Sequence, residues 1–149
     1  MGPYPGYDGS IGPVRGKVDV YFIGMEGGMD MDFLFQISGL ESNCVNCGIH
    51  IHEGITCASH DLVMGHYWNS DNGTAPDPWT SNYGAIYNSD EYSRAKGNYQ
   101  LNSGYGIEDN EGHAVVVHAQ DGTRIACGVL ERGLSKCGRW KKRKKAKKV

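Results

Sequence analysis

A chain of 149 residues suits one domain with a core of its own. No apolar run is long enough to span a bilayer, and 22 glycines and nine tyrosines among few long apolar runs point to many short strands and turns, so an all-β class is expected. The formal net charge of -2 conceals a division: up to Glu131 there are 17 acidic residues against five basic ones, a net of −12, and from Arg132 onward ten basic residues and no acidic one.

Residues 1–11 are rich in Gly, Pro and Tyr and read as an extended arm. They carry no basic and apolar leader, so no signal peptide is visible in the chain. GKVDVYFIG follows, with Val18, Val20 and Phe22 on one face, and MDFLFQISGL alternates in the same way through Phe33, Phe35 and Ile37. A turn over Glu26 to Asp30 should join these two strands in a hairpin. A short CVNC insertion then leads into CGIHIHEG. In that strand Ile49 and Ile51 point to one side and His50 and His52 to the other. Paired imidazoles on one face can hold a metal, although a solvated strand face can carry histidines too.

Residues 54–82 show no sustained period and contain turn residues throughout, which predicts a long structured loop; His60, His66, Trp68 and Trp79 lie in it. Shorter strands are expected around Gly84 to Tyr87 and Gly97 to Leu101, then HAVVVHA, a turn over Gln120 to Thr123, and RIACGVLE. No segment has a helical period and no internal repeat is visible. His113 and His118 are five apart in one strand and face opposite sides, so only one of them can join a given site. Neutral imidazole is a strong ligand for copper, zinc and related ions, and a set of four favours Cu(II), whose tetragonal preference nitrogen ligands meet.

Five cysteines, Cys44, Cys47, Cys57, Cys127 and Cys137, fit an oxidising compartment with two bridges and one spare thiol, so an extracellular or secretory location is expected. Asn72-Gly73-Thr74 is a glycosylation sequon compatible with that setting. The CxxC of Cys44 and Cys47 lacks the second pair of a zinc site and the βαβ context of a redox motif, which leaves a local bridge or bonds to nearby partners. Residues 132–149 form a basic tail, expected to be disordered in isolation. It is either a solubilising terminus or an attachment to an acidic partner, which includes anionic lipid, polysaccharide, nucleic acid and the −12 body itself. One tryptophan in the tail, Trp140, is too little to argue for base stacking, and nucleic acid is not an expected partner of the folded domain.

Four motifs, CGIHIHEG, GHYWN, GHAVVVHA and TRIACGVL, stand in the order and spacing of the copper/zinc superoxide dismutases, and residues 12–131 resemble that family. The resemblance implies an eight-stranded Greek-key β-barrel or immunoglobulin-like sandwich. It implies that His50, His52, His66 and His118 are copper ligands, with His66 in the place of the imidazole that joins copper to zinc and takes part in proton transfer. It further implies a Cys57–Cys127 disulfide and a role for Arg124 as the arginine that receives the superoxide anion. The sequence departs from the family pattern after His66: no histidine follows until His113, the zinc aspartate has no clear match, and the long charged loop before the last strand is cut to AQDGT. Those departures imply a copper-only type without zinc, in which a carboxylate or water holds the far nitrogen of His66; Asp77, Asp90, Glu91 and Glu111 are the candidates. Two functions follow as expectations: a copper-dependent enzyme converting superoxide to dioxygen and hydrogen peroxide, or a weakly active or inactive copper-binding module of a larger extracellular assembly, attached through its arm and tail.

Overall fold

The computed structural model describes residues 1–24, 28–72, 76–80, 82 and 84–133; Cys137, the basic tail from 134 on, two residues of the sequon, and part of the turn expected over 26–30 lie outside them. The described residues contain eight strands, β1 (Gly2–Pro3), β2 (Arg15–Ile23), β3 (Asp30–Ser38), β4 (Cys47–His52), β5 (Ile86–Tyr87), β6 (Arg94–Asn102), β7 (Ala114–His118) and β8 (Arg124–Val129). They form two antiparallel sheets, ordered β1-β8-β7-β4-β5 and β2-β3-β6. β2 and β3 pair along their full lengths, so the two alternating runs form the expected ladder. β6 returns from a distance to pair with β3, while β4 pairs with β7 in the other sheet. These long-range pairings give the chain its Greek-key course.

The architecture is a sandwich. The implied barrel is not closed: no hydrogen-bonded ladder links β5 to β6 or β1 to β2 among the described residues. β5 and β1 have only two residues each, too few to carry a ladder across the gap. Two single-turn helices, α1 (His60–Val63) and α2 (Ile107–Asn110), sit in connections whose sequence gave no helical signal, as one turn is too short to display a period. The arm is also more engaged than its composition suggests. Glycine and proline favour extended backbone, and β1 uses it to add an edge strand to β8, with Gly2 opposite Cys127 and Pro3 opposite Ala126.

The core lies between the sheets. Phe33, Phe35 and Ile37 of β3 meet Ile49 and Ile51 of β4, Val115 and Val117 of β7 and Ile125 of β8, all buried. Phe33 stacks on Tyr99 at 4.8 Å and meets Trp79 edge-on at 5.6 Å; each such aromatic pair adds about 0.5–1.5 kcal/mol beyond area burial. Val18, Val20 and Phe22 are only partly buried because β2 is the sheet edge, yet they pack against the same cluster. The Tyr99 hydroxyl donates to the carbonyl of Ile49, so the two sheets are also joined by a buried hydrogen bond.

Two disulfides complete the frame. Cys57 pairs with Cys127, 70 residues away, and ties the start of the long loop to β8; Cys44 pairs with Cys47, which settles the CxxC as a local bridge. Two bridges in so short a chain fit an oxidising, extracellular setting. No helix among the described residues is long and apolar enough to cross a membrane. Because the Cys57–Cys127 closure spans most of the domain, replacing both cysteines by serine is expected to lower unfolding stability by about 4 kcal/mol, read from denaturant titration. The same change at Cys44 and Cys47, only three residues apart, should cost distinctly less.

Candidate metal centre

The alternation of β4 divides its side chains between core and site. Ile49 and Ile51 fill the interior, opposite Val117 and Val115 of β7, and His50 and His52 emerge together on the other side. Gly48 lies on the same face, two residues before His50, and its lack of a side chain is required: a Cβ there would fall 2.4 Å from the His50 ring. His118 comes from the end of β7, on the face shared with Val116 and Ala114, which lie opposite His50 and His52; the pairing with β8 shifts register between Val117 and His118. His66 is delivered by the long loop. That loop turns back antiparallel to the end of β4, with Glu53 N donating to Gly65 O at 2.9 Å and Tyr67 N to Ile51 O at 2.9 Å, which places His66 across from His52. The return needs a close approach at Gly54, where a Cβ would meet the carbonyl of Leu62 at 2.0 Å.

One ring nitrogen from each of the four histidines lies within 4.8 Å of all the others. His50 Nδ1 is 3.0 Å from His66 Nε2, and His52 Nε2 is 3.3 Å from His118 Nε2. The opposite nitrogen of every ring faces an oxygen that can only accept: the carbonyls of Ala85 (3.2 Å from His50 Nε2), Met64 (3.1 Å from His52 Nδ1) and Gly122 (3.0 Å from His118 Nδ1), and the carboxylate of Asp77 (2.6 Å from His66 Nδ1). A neutral imidazole carries one N–H, and these acceptors claim it. The inward nitrogens are therefore left as lone pairs that point at one another.

Burial prevents protons from relieving that arrangement. Desolvation, with smaller help from the neighbouring imidazoles, holds the His50 pKa down at about 2; desolvation puts His52 at about 3 and His118 at about 4, with Arg124 adding to the fall at both. Three neutral imidazoles with inward lone pairs, plus a fourth oriented by a carboxylate, fit a borderline metal cation and could hold one. The only other such cluster among the described residues is Glu41 with Cys44 and Cys47, whose sulfurs are joined to each other.

All four histidines singled out from the sequence thus meet. His113 does not join them: its Nδ1 faces the carbonyl of His52 at 3.1 Å, and its ring stacks on Tyr67 at 3.8 Å. Arg124 shares the wall of a pocket of about 370 Å³ with His50, His66 and His118. Of the four carboxylates considered for His66, the structure selects Asp77, whose two oxygens are divided: Oδ2 meets His66, and Oδ1 accepts from the backbone N of Trp79 at 2.9 Å. Trp79 is fully buried and its Nε1 donates to Tyr67 O at 2.8 Å, so the loop is pinned by a core side chain two residues from the carboxylate it presents. Asp90 instead bonds Arg94 and the backbone of its own turn. Gly48 was detectable by parity, as the glycine on the histidine face of β4. The choice of Asp77 among the four candidate carboxylates was not, because an aperiodic loop gives no face to count along.

No protein-family model matches the chain, and no curated protein matches it either. The chemistry of the site therefore carries the functional conclusion.

Two outcomes are expected. Gly48→Ala should displace the His50 ring and weaken Cu(II) binding at least tenfold, measured by competition with a chelator, while far-UV circular dichroism stays that of the wild type. The metal-free protein should be stable above about pH 6.5 and lose stability as pH falls toward 4, because the unfolded chain takes up protons at histidines that the fold keeps neutral. Each such imidazole contributes a slope of up to about 1.4 kcal/mol per pH unit in that window. A melting temperature flat between pH 7 and pH 4.5 would contradict it.

Proposed function

We propose that the chain is a copper-dependent superoxide dismutase of a copper-only type, secreted or held outside the cell. The observation that carries this reading is the convergence of four imidazoles, each with its outer nitrogen engaged by an acceptor, beside a pocket lined by three of them and by Arg124. The resemblance of the four sequence motifs to the copper/zinc superoxide dismutases points the same way. An all-nitrogen set on four rigid or pinned positions suits copper, and a bound copper ion would supply the one-electron couple by which two superoxide anions and two protons become dioxygen and hydrogen peroxide.

The protein's own groups have separable tasks. His50, His52 and His118 are fixed by backbone carbonyls and hold their inward nitrogens unprotonated at neutral pH. Arg124 gives the pocket a permanent positive charge and N–H donors, which draws in and orients a small anion by charge-assisted hydrogen bonding. The body as a whole is strongly acidic, and salt shortens its repulsion of an anion to about 8 Å, so this local cation decides entry. His66 differs from the other three, since its outer nitrogen faces a carboxylate. Asp77 orients the ring so that Nε2 faces the other histidines, in the place to which the family resemblance gives a part in proton transfer. Asp77 also occupies the nitrogen through which a second metal would be joined, which supports a site that works without zinc.

Metal analysis and a dismutation assay on purified wild type and Arg124→Ala test the proposal. One copper per chain, activity without zinc, and a loss of about tenfold or more in the rate constant of Arg124→Ala at unchanged copper content are expected. Copper bound without turnover would leave a copper-binding module of an extracellular assembly, and a requirement for zinc would overturn the copper-only assignment.

A further inference from the structure

The N-terminal arm reaches the same corner of the fold from the side of β8. β1 pairs with that strand through Cys127 and Ala126, and Tyr4 N continues the ladder by donating to Ile125 O at 3.2 Å. The next side chain is thereby set beside Arg124. Tyr4 is 4% exposed, packed with Val63, Ala114, Val116 and Cys127. Its hydroxyl oxygen accepts from Arg124 Nη1 at 2.9 Å, and its ring centroid lies 5.7 Å from the guanidinium carbon, within reach of a cation–π contact. The same hydroxyl is 3.1 Å from Nδ1 of His60, whose ring meets Tyr4 edge-on at 5.7 Å. With His60 neutral, the tyrosine donates to Nδ1 and turns its lone pairs toward the arginine. Among the described residues, Tyr4 is the only side-chain hydrogen-bond partner of Arg124.

We propose that Tyr4 is a positioning residue for Arg124: the arm holds the guanidinium at the pocket wall before an anion arrives, and His60 in turn orients the tyrosine hydroxyl. This inference rests on the role given to Arg124 above. A free arginine side chain samples many rotamers, and restricting them in advance removes an ordering penalty from anion binding. One guanidinium edge is spent on the tyrosine; the remaining N–H groups stay available for a ligand.

Azide, an inert monoanion, probes this on the copper-loaded full chain by optical titration, with electron paramagnetic resonance of the azide-free protein reporting the metal environment. Tyr4→Phe keeps the ring, its packing and its contact with the guanidinium, and removes only the hydroxyl. It is expected to weaken azide about three- to tenfold with the azide-free spectrum unchanged. Arg124→Ala should weaken azide more, and the double variant should bind as Arg124→Ala does, because the tyrosine acts through the arginine. Wild-type affinity in Tyr4→Phe, or a double variant whose loss is the product of the two single losses, overturns the proposal. Wild-type affinity in Arg124→Ala overturns the arginine's role itself and this inference with it. If Tyr4→Phe does not fold, His60→Ala at its exposed position is expected to weaken azide about twofold through the same hydroxyl. Unchanged affinity in that variant overturns the proposal equally.

Discussion

The site depends on where each histidine spends its single N–H. Three backbone carbonyls and one carboxylate claim the outer nitrogens, and four lone pairs are left facing one another. That arrangement is unfavourable by itself, since lone pairs repel and burial resists the protons that would separate them. A cation at the centre would relieve it. The fold thus invests in a local conflict at the place where a ligand resolves it, as functional sites commonly do.

The parts that impose the conflict differ in kind. His50 and His52 ride on a central strand whose other face is core, so their backbone is as fixed as the sandwich itself. His118 depends on the end of β7 and on the short turn whose Gly122 carbonyl it donates to. His66 depends on a loop, and that loop is fastened three ways: by its antiparallel return along β4, by the buried Trp79, and by the Cys57–Cys127 bridge near its origin. Asp77 links two of these, because one carboxylate serves both the tryptophan backbone and the histidine ring. Burial of Trp79 therefore bears on the orientation of the His66 ring.

Much of this was legible in the sequence wherever a period existed to read. Alternation gave the β2–β3 pair, assigned the isoleucines of β4 inward and its histidines to the shared face, and separated His113 from His118 by parity. The grouping of the four histidines came from chemistry and from the resemblance of four motifs, and the fold brings those rings together. What escaped was set by contacts between aperiodic segments. Composition marks residues 1–11 as extended but cannot say that Gly2 and Pro3 have β8 as a partner, nor that Tyr4 is then buried against an arginine 120 positions away. The choice of Asp77 over Asp90 rests on the packing of Trp79, and the open edges that decide for the sandwich between the two expected forms, barrel and sandwich, follow from two-residue strands too weak to show in any pattern.

The two-residue repeat of β4 has one more consequence. A slip of its pairing by a single position would put Ile49 and Ile51 into the histidine cluster and His50 and His52 into the hydrophobic core, while Gly48 would no longer stand where a ring needs room. Hydrophobic sorting and the geometry of the histidine cluster penalise the same misalignment, so the strand that carries two of the four histidines also proofreads its own assembly.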